Sequence, residues 1–188
     1  MRARVVLVVL LCATAAYARD RAVLVYPRER LWLRPVFYTQ HQQQLRAQLA
    51  RTYDLEVHEQ IANDDDLFAI DIDGAKVLVL SAHGDPYSMH FAGAKTRTLD
   101  SSDIARLKSF FDRLAPDATI ILQSCDTGRG FAHLVKQAAG PRRNVIAARG
   151  EIPRDGVRIT SVDPIDVTIF CRDDERRRYD CTVRLFGG

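Results

Sequence analysis

Beyond residue 18, no segment of this chain approaches the ~18 consecutive apolar residues that a membrane-spanning helix requires. Charge of one sign is also missing. The 27 basic and 24 acidic side chains leave +3, which falls to +1 once the two arginines of residues 1–18 are set aside. A balance this even gives no electrostatic footprint for nucleic acid. There is no His-Glu-x-x-His zinc signature, and the five histidines are scattered. The single glycine-rich patch, Gly128-Arg129-Gly130, lacks the Lys-Ser/Thr of a phosphate loop. No metal, cofactor, nucleic-acid partner or membrane span is therefore expected. Internal repeats, low-complexity tracts and linkers are absent too. The 188 residues suit one α/β domain with a substantial core and are too few for two.

Cysteine is scarce, and where it sits matters. Arg2 and Arg4, the apolar run Val5 to Leu11 and the small-x-small site Ala16-Tyr17-Ala18 follow the order of a secretory signal peptide. The expectation is a leader over 1–18 and a mature chain over 19–188, secreted or periplasmic. Cys12 leaves with the leader, so Cys125, Cys171 and Cys181 remain. In an oxidising compartment three thiols suggest one disulfide and one left over. Cys171 and Cys181 flank a charged tip, Arg172 to Asp180, at the ends of two β-like runs, and are the natural pair. Cys125 is the odd thiol, and catalysis is one explanation for it.

Taken in order, Ala22 to Tyr26 reads as a buried strand stopped by Pro27, followed by a loop with Arg28, Arg30, Trp32 and Arg34. A helix is expected over Phe37 to Thr52, and an outer strand at Leu55 to His58. Asn63-Asp64-Asp65-Asp66 suits a turn or helix cap. A hairpin is expected around Ala92-Gly93-Ala94-Lys95. Asp100 or Ser101 caps a helix that runs to about Leu114 with one apolar stripe. A second helix ends near Ala139, and a buried strand covers Asn144 to Ala148. From Glu151 onward the chain is β-rich, with Val157 to Val162, Ile165 to Cys171 and Cys181 to Phe186 as strands, including a terminal hairpin.

Two stretches carry chemistry. Val77-Leu78-Val79-Leu80-Ser81-Ala82-His83-Gly84 and Thr119-Ile120-Ile121-Leu122-Gln123-Ser124-Cys125 are unbroken apolar runs that each end in a reactive side chain. Runs without alternation are strands covered by helices on both faces, and ligands of such sheets bind at the carboxyl ends of the strands. A helical crossover between sequential parallel strands brings those ends side by side. The expectation is a His83–Cys125 dyad, with the thiolate favoured by the imidazole and by the helix starting near Gly130. Gly84 is expected to share an oxyanion hole with the amide of Cys125. Taken singly, a strand-end Cys is usually a small core residue and a lone His is usually structural. Their common edge, and the unpaired thiol, raise the functional reading.

At these residues the chain resembles the caspase-like cysteine peptidases, whose shared pattern is an apolar strand ending in His-Gly and a later one ending in x-Cys. The trailing Asp126-Thr127-Gly128 is particularly similar to CHAT-type domains. The resemblance implies a three-layer sandwich with a mostly parallel sheet, and the β-rich C-terminal extension after Glu151 departs from the family pattern. It implies His83 as general base, Cys125 as nucleophile, and Gly84 with Cys125 as oxyanion donors. Gln123, two before the Cys, is implied to line the pocket for the substrate side chain preceding the cut, because positions two apart share a strand face. Members preferring Arg or Lys commonly have a carboxylate there, which this chain lacks. An acidic preference follows as an expectation, with Arg28, Arg30, Arg34, Arg149 or Arg154 assisting. The substrate expected is a peptide or protein.

Other readings compete. Phe68 to Gly74 is similar to the aspartate motif of haloacid-dehalogenase phosphatases, but only Ala75-Lys76 separate it from the next buried strand, so a turn is favoured. Arg176-Arg177-Arg178 is offset by Asp173, Asp174, Glu175 and Asp180 and reads as a solvated tip. Two functions from different classes stand: an exported cysteine endopeptidase, and a catalytically silent caspase-like domain that binds or regulates.

Overall fold

The structure, a computed structural model, describes residues 19–27, 40–91, 98–153 and 156–187. The expected leader with Cys12, the loop with Arg28, Arg30, Trp32 and Arg34, the Ala92–Lys95 turn, and Arg154 lie outside the described residues. In chain order the elements are β1 (Arg21–Pro27), α1 (Gln40–Thr52), β2 (Asp54–Ile61), α2 (Asp64–Phe68), β3 (Val77–Ser81), β4 (His83–Gly84), β5 (Met89–His90) and β6 (Thr98–Leu99). They continue with α3 (Ile104–Phe111), β7 (Thr119–Gln123), α4 (Phe131–Ala139), β8 (Asn144–Ala148), β9 (Val157–Val162), β10 (Ile165–Arg172), β11 (Arg178–Asp180) and β12 (Thr182–Leu185).

Six strands make the central sheet in the order β12-β8-β7-β3-β1-β2. All its pairings are parallel except that of β12 with β8. The unbroken apolar runs are buried on both faces, and their residues divide by parity between two cores, as a period of two requires. Val23, Val25, Leu78, Leu80, Ile120, Leu122, Val145 and Ala147 face one side. There they meet Leu67 of α2, Leu107, Phe110 and Phe111 of α3, and Phe131, Ala132 and Val135 of α4. Leu24, Val77, Val79, Ile121, Ile146 and Ala148 face the other, against Leu45 and Leu49 of α1 and against the tail. Each fully buried Leu, Ile or Phe contributes about 1.5–3 kcal/mol of transfer free energy.

The caps follow the sequence closely. Asn63 accepts from the Asp66 amide at the start of α2. Asp100 and Asp103 form a reciprocal capping box on the single 3₁₀ turn Ser101–Asp103 that leads into α3. The apolar stretch Leu67 to Ile72 supplies the last residues of α2 and the turn that follows it towards β3. The first helix is described over Gln40–Thr52, and its expected start at Phe37 lies outside the described residues. Edge strand β2 carries Asp54, Glu56, His58 and Glu59, charges that discourage further strand pairing.

The tail is β-rich as expected, but it divides its strands between two sheets. β9, β10 and β11 form an antiparallel sheet with β10 in the middle. β10 alternates strictly, turning Ile165, Val167, Ile169 and Cys171 into the second core. That small sheet covers the central sheet beside α1, where a second helix would otherwise sit. β12 then leaves its hairpin partner and joins the central sheet beside β8, with Thr182 opposite Ala148. Cys171 and Cys181 are joined by a disulfide, Cα–Cα 5.7 Å, between β10 and the start of β12. A disulfide is compatible with an extracytoplasmic location. Among the described residues, no helix is long and apolar enough to cross a membrane.

Candidate active site

β3 and β7 are neighbours in parallel register, with Ser81 opposite Gln123. His83 and Cys125 each stand two residues beyond that last pair, so their backbones leave the sheet in step at one carboxyl rim. The Ala82 amide still reaches the Gln123 carbonyl, at 3.4 Å. Just past the rim the two chains touch. A Cβ on Gly84 would lie 2.1 Å from Ser124 Oγ and 3.0 Å from the Cys125 carbonyl oxygen, so only glycine fits there. Ser124 Oγ is buried with no hydrogen-bond partner among the described residues. Its neighbour Thr127 donates to the Ser124 carbonyl at 3.1 Å and tightens the turn.

The imidazole side is braced locally. Residues His83 and Gly84 form the two-residue strand β4, which pairs with β5 so that His83 stands opposite His90. Asp85 fixes this hairpin. Its Oδ1 accepts the Tyr87 and Ser88 amides at 2.7 and 3.0 Å. Its Oδ2 accepts the Ser88 hydroxyl at 2.8 Å and lies 3.0 Å from His90 Nε2. Burial pushes the Asp85 carboxyl up, but contacts with His90, the Tyr87 amide and Ser88 outweigh it and hold the group at about 2. Ser88 Oγ is 2.9 Å from the same His90 nitrogen. Serine and aspartate thus share one ring nitrogen, whereas a hydrolytic relay needs them on opposite nitrogens. Asp85, Ser88 and His90 are a structural clamp. Sequence reasoning missed it, although Asp-Pro-x-Ser after a strand is a readable turn signal.

The sulfur side is braced from a distance. Asp126 follows Cys125 in the left-handed region, φ 56°, which Asp tolerates better than most residues. Its amide donates to the Gly150 carbonyl at 3.1 Å, and its carboxylate meets Arg129 at 2.9 Å. The Ile152 amide donates to Cys125 Sγ at 3.3 Å. Burial pushes the Cys125 thiol above its ordinary value; the Ile152 N–H opposes this, and the Glu151 and Asp126 carboxylates add to it. This differs from the expectation of a favoured thiolate. At the helix start the 3₁₀ turn Thr127–Arg129 precedes α4, and the Phe131 and His133 amides are taken by the Pro86 and Gly130 carbonyls at 2.7 and 2.9 Å. A Cβ on Gly130 would sit 2.4 Å from that carbonyl oxygen, so the loop after His83 and the helix after Cys125 are in close contact.

Gln123 is buried, and its Oε1 accepts the Ser81 hydroxyl at 2.7 Å. It shares a strand face with Ile121, the face covered by α1 and the tail sheet. Of the arginines the sequence singles out, Arg149 is described. It stands just past β8, lining a cleft of about 250 Å³ with Arg129, Tyr179 and Asp180. Among the described residues no group of three or more His, Cys, Asp or Glu is arranged to hold a metal ion. The rim therefore offers a free thiol, an exposed imidazole and a glycine backbone, the components of acyl transfer to sulfur. Comparison of the chain with protein-family models and with curated proteins finds no match.

Proposed function

We propose that the protein is an exported cysteine endopeptidase of the caspase-like kind. Cys125 is the nucleophile and His83 the base. Burial disfavours the thiolate, so the proton passes to His83 as Sγ attacks the scissile carbonyl. The amides of Gly84 and Cys125 donate to the oxyanion. His83 then protonates the departing amine, and water, deprotonated by the same imidazole, cleaves the thioester to free acid and thiol. The reading rests on one observation above the others: β3 and β7 end in step, and Gly84 packs on Ser124–Cys125 with no room for a side chain.

Gln123, held by Ser81, sits under the position preceding the cut, and the absence of a carboxylate there favours an acidic or amide side chain over a basic one. Cleavage of a peptide library by the wild type, Cys125→Ala and His83→Ala tests both points. The expected result is a loss of at least about 10³-fold in each variant, with acidic residues enriched before the cut. Retained cleavage in Cys125→Ala removes the nucleophile assignment, and a preference for Arg or Lys removes the acidic one. A second reading, a silent domain that binds or regulates, is favoured by the contact of the Ile152 amide with the sulfur. A thiol-directed probe whose labelling needs both Cys125 and His83 supports the enzyme; labelling indifferent to His83 supports the silent domain.

A further inference from the structure

The segment 149–152 lies between Cys125 on one side and the disulfide hairpin on the other, and each of its residues is engaged. The Arg149 amide donates to the Cys181 carbonyl at 3.0 Å. Gly150 accepts from the Asp126 amide, and a Cβ on it would meet Tyr179 Oη at 2.7 Å and Cys171 Sγ at 3.1 Å. Glu151 accepts from the Arg172 amide at 3.3 Å, and Ile152 donates to Cys125 Sγ at 3.3 Å. The hairpin's holds on the segment thus fall at Cys181, Cys171 and Arg172, on or beside the two half-cystines. Cys171 is fully buried and Cys181 nearly so, both in the second core with Ala148 of β8.

We propose that residues 149–152 are a strap over the Cys125 thiol and that the Cys171–Cys181 disulfide is its latch, so that opening the disulfide releases the sulfur to water and makes it more reactive. The physiological meaning of this rests on the peptidase reading, but the geometry does not. In the latched state the sulfur is half-buried under the Ile152 amide, and the Glu151 and Asp126 carboxylates disfavour the thiolate. His83 stands at the same rim. A dithiol reductant would open the latch by supplying two electrons and two protons, giving two protein thiols and its own cyclic disulfide. The strap then loses its hold at the half-cystines, Sγ regains water, and the thiol moves back towards its ordinary value.

Alkylation by iodoacetamide, followed by mass analysis of the Cys125 peptide across pH 6–9, measures this without any substrate. In the double variant Cys171→Ser/Cys181→Ser, the rate at pH 7.5 is expected to rise about three- to tenfold as the thiolate fraction grows, with the profile displaced to lower pH. The wild type reduced with a dithiol reductant under native conditions is expected to act in the same direction. A cooperative thermal transition in each form separates release of the strap from unfolding. An unchanged or slower rate in either folded form overturns the proposal. So does loss of the transition in both, because the disulfide then supports the whole fold, not the strap alone. Faster alkylation in a protein that cleaves nothing would sink the peptidase reading only; an active peptidase with unchanged alkylation would sink the strap only.

Discussion

The two rim segments are built on opposite plans. The segment after β3 holds His83 by short-range means: Asp85 gathers the amides of Tyr87 and Ser88, the Ser88 hydroxyl and the His90 ring, all within five residues. The segment after β7 holds Cys125 by long-range means. Its contacts come from Gly150 and Ile152, whose neighbours Arg149 and Glu151 are held by Cys181 and by Arg172 of β10. A locally closed turn forms at little loop-closure cost, whereas a contact between distant residues exists only once the intervening chain is in place. His83 is placed by its neighbours in sequence; the sulfur is placed by the fold.

Where the plans meet, at Gly84 against Ser124, the largest effect is expected. Gly84→Ala forces a methyl to within 2.1 Å of Ser124 Oγ and is expected to destabilise by about 1–3 kcal/mol, as overpacking does. Denaturant titration of Gly84→Ala, Ser124→Ala and the double variant checks it. Ser124→Ala alone should be neutral or slightly stabilising, because it removes a buried hydroxyl without a partner. In combination it should recover part of the loss. Strict additivity would mean that the two segments do not bear on each other there.

Ser81→Ala tests the paired strand ends below the rim. It leaves Gln123 Oε1 buried without its donor and is expected to cost about 1–2 kcal/mol, while Gln123→Leu with Ser81→Ala should cost less than the sum of the two single changes. The smallest effect belongs to the local clamp. Asp85 is held at about 2, so its contribution is full above the ordinary carboxylate range near 4 and fades as pH falls towards 2. The side chain is 45% exposed, and solvent screening reduces the contribution to about 1 kcal/mol or less. Thermal melts of wild type and Asp85→Asn should differ at pH 6 and converge near pH 2. A constant gap would show that Asp85 acts through shape and not charge.

This contrast also explains what could be read from the sequence. The covered strands β1, β3, β7 and β8 announce themselves as apolar runs, and Asn63 and Asp100 mark helix starts because capping is a local interaction. Gly84 and Cys125 stand out for the same reason, as does the Cys171–Cys181 pair flanking its charged tip. The departure of β12 from its hairpin to pair with β8 was not legible, since a short alternating strand looks alike in either sheet. Nor was the raised thiol. Its cause is burial beneath Glu151 and Ile152, some 26 positions downstream, and no local pattern reports what folds back over a side chain. The Asp85 clamp was legible in principle, as an aspartate-led turn, but the His90 partner depends on the register of β4 with β5.

The position of β12 has a consequence for the order of assembly. A nascent chain that has reached only Ala148 already contains the imidazole, the sulfur and all five parallel strands of the central sheet. It has neither the amide that contacts the sulfur nor the two half-cystines behind it. Maturation of the thiol's surroundings is therefore deferred to the segments made last.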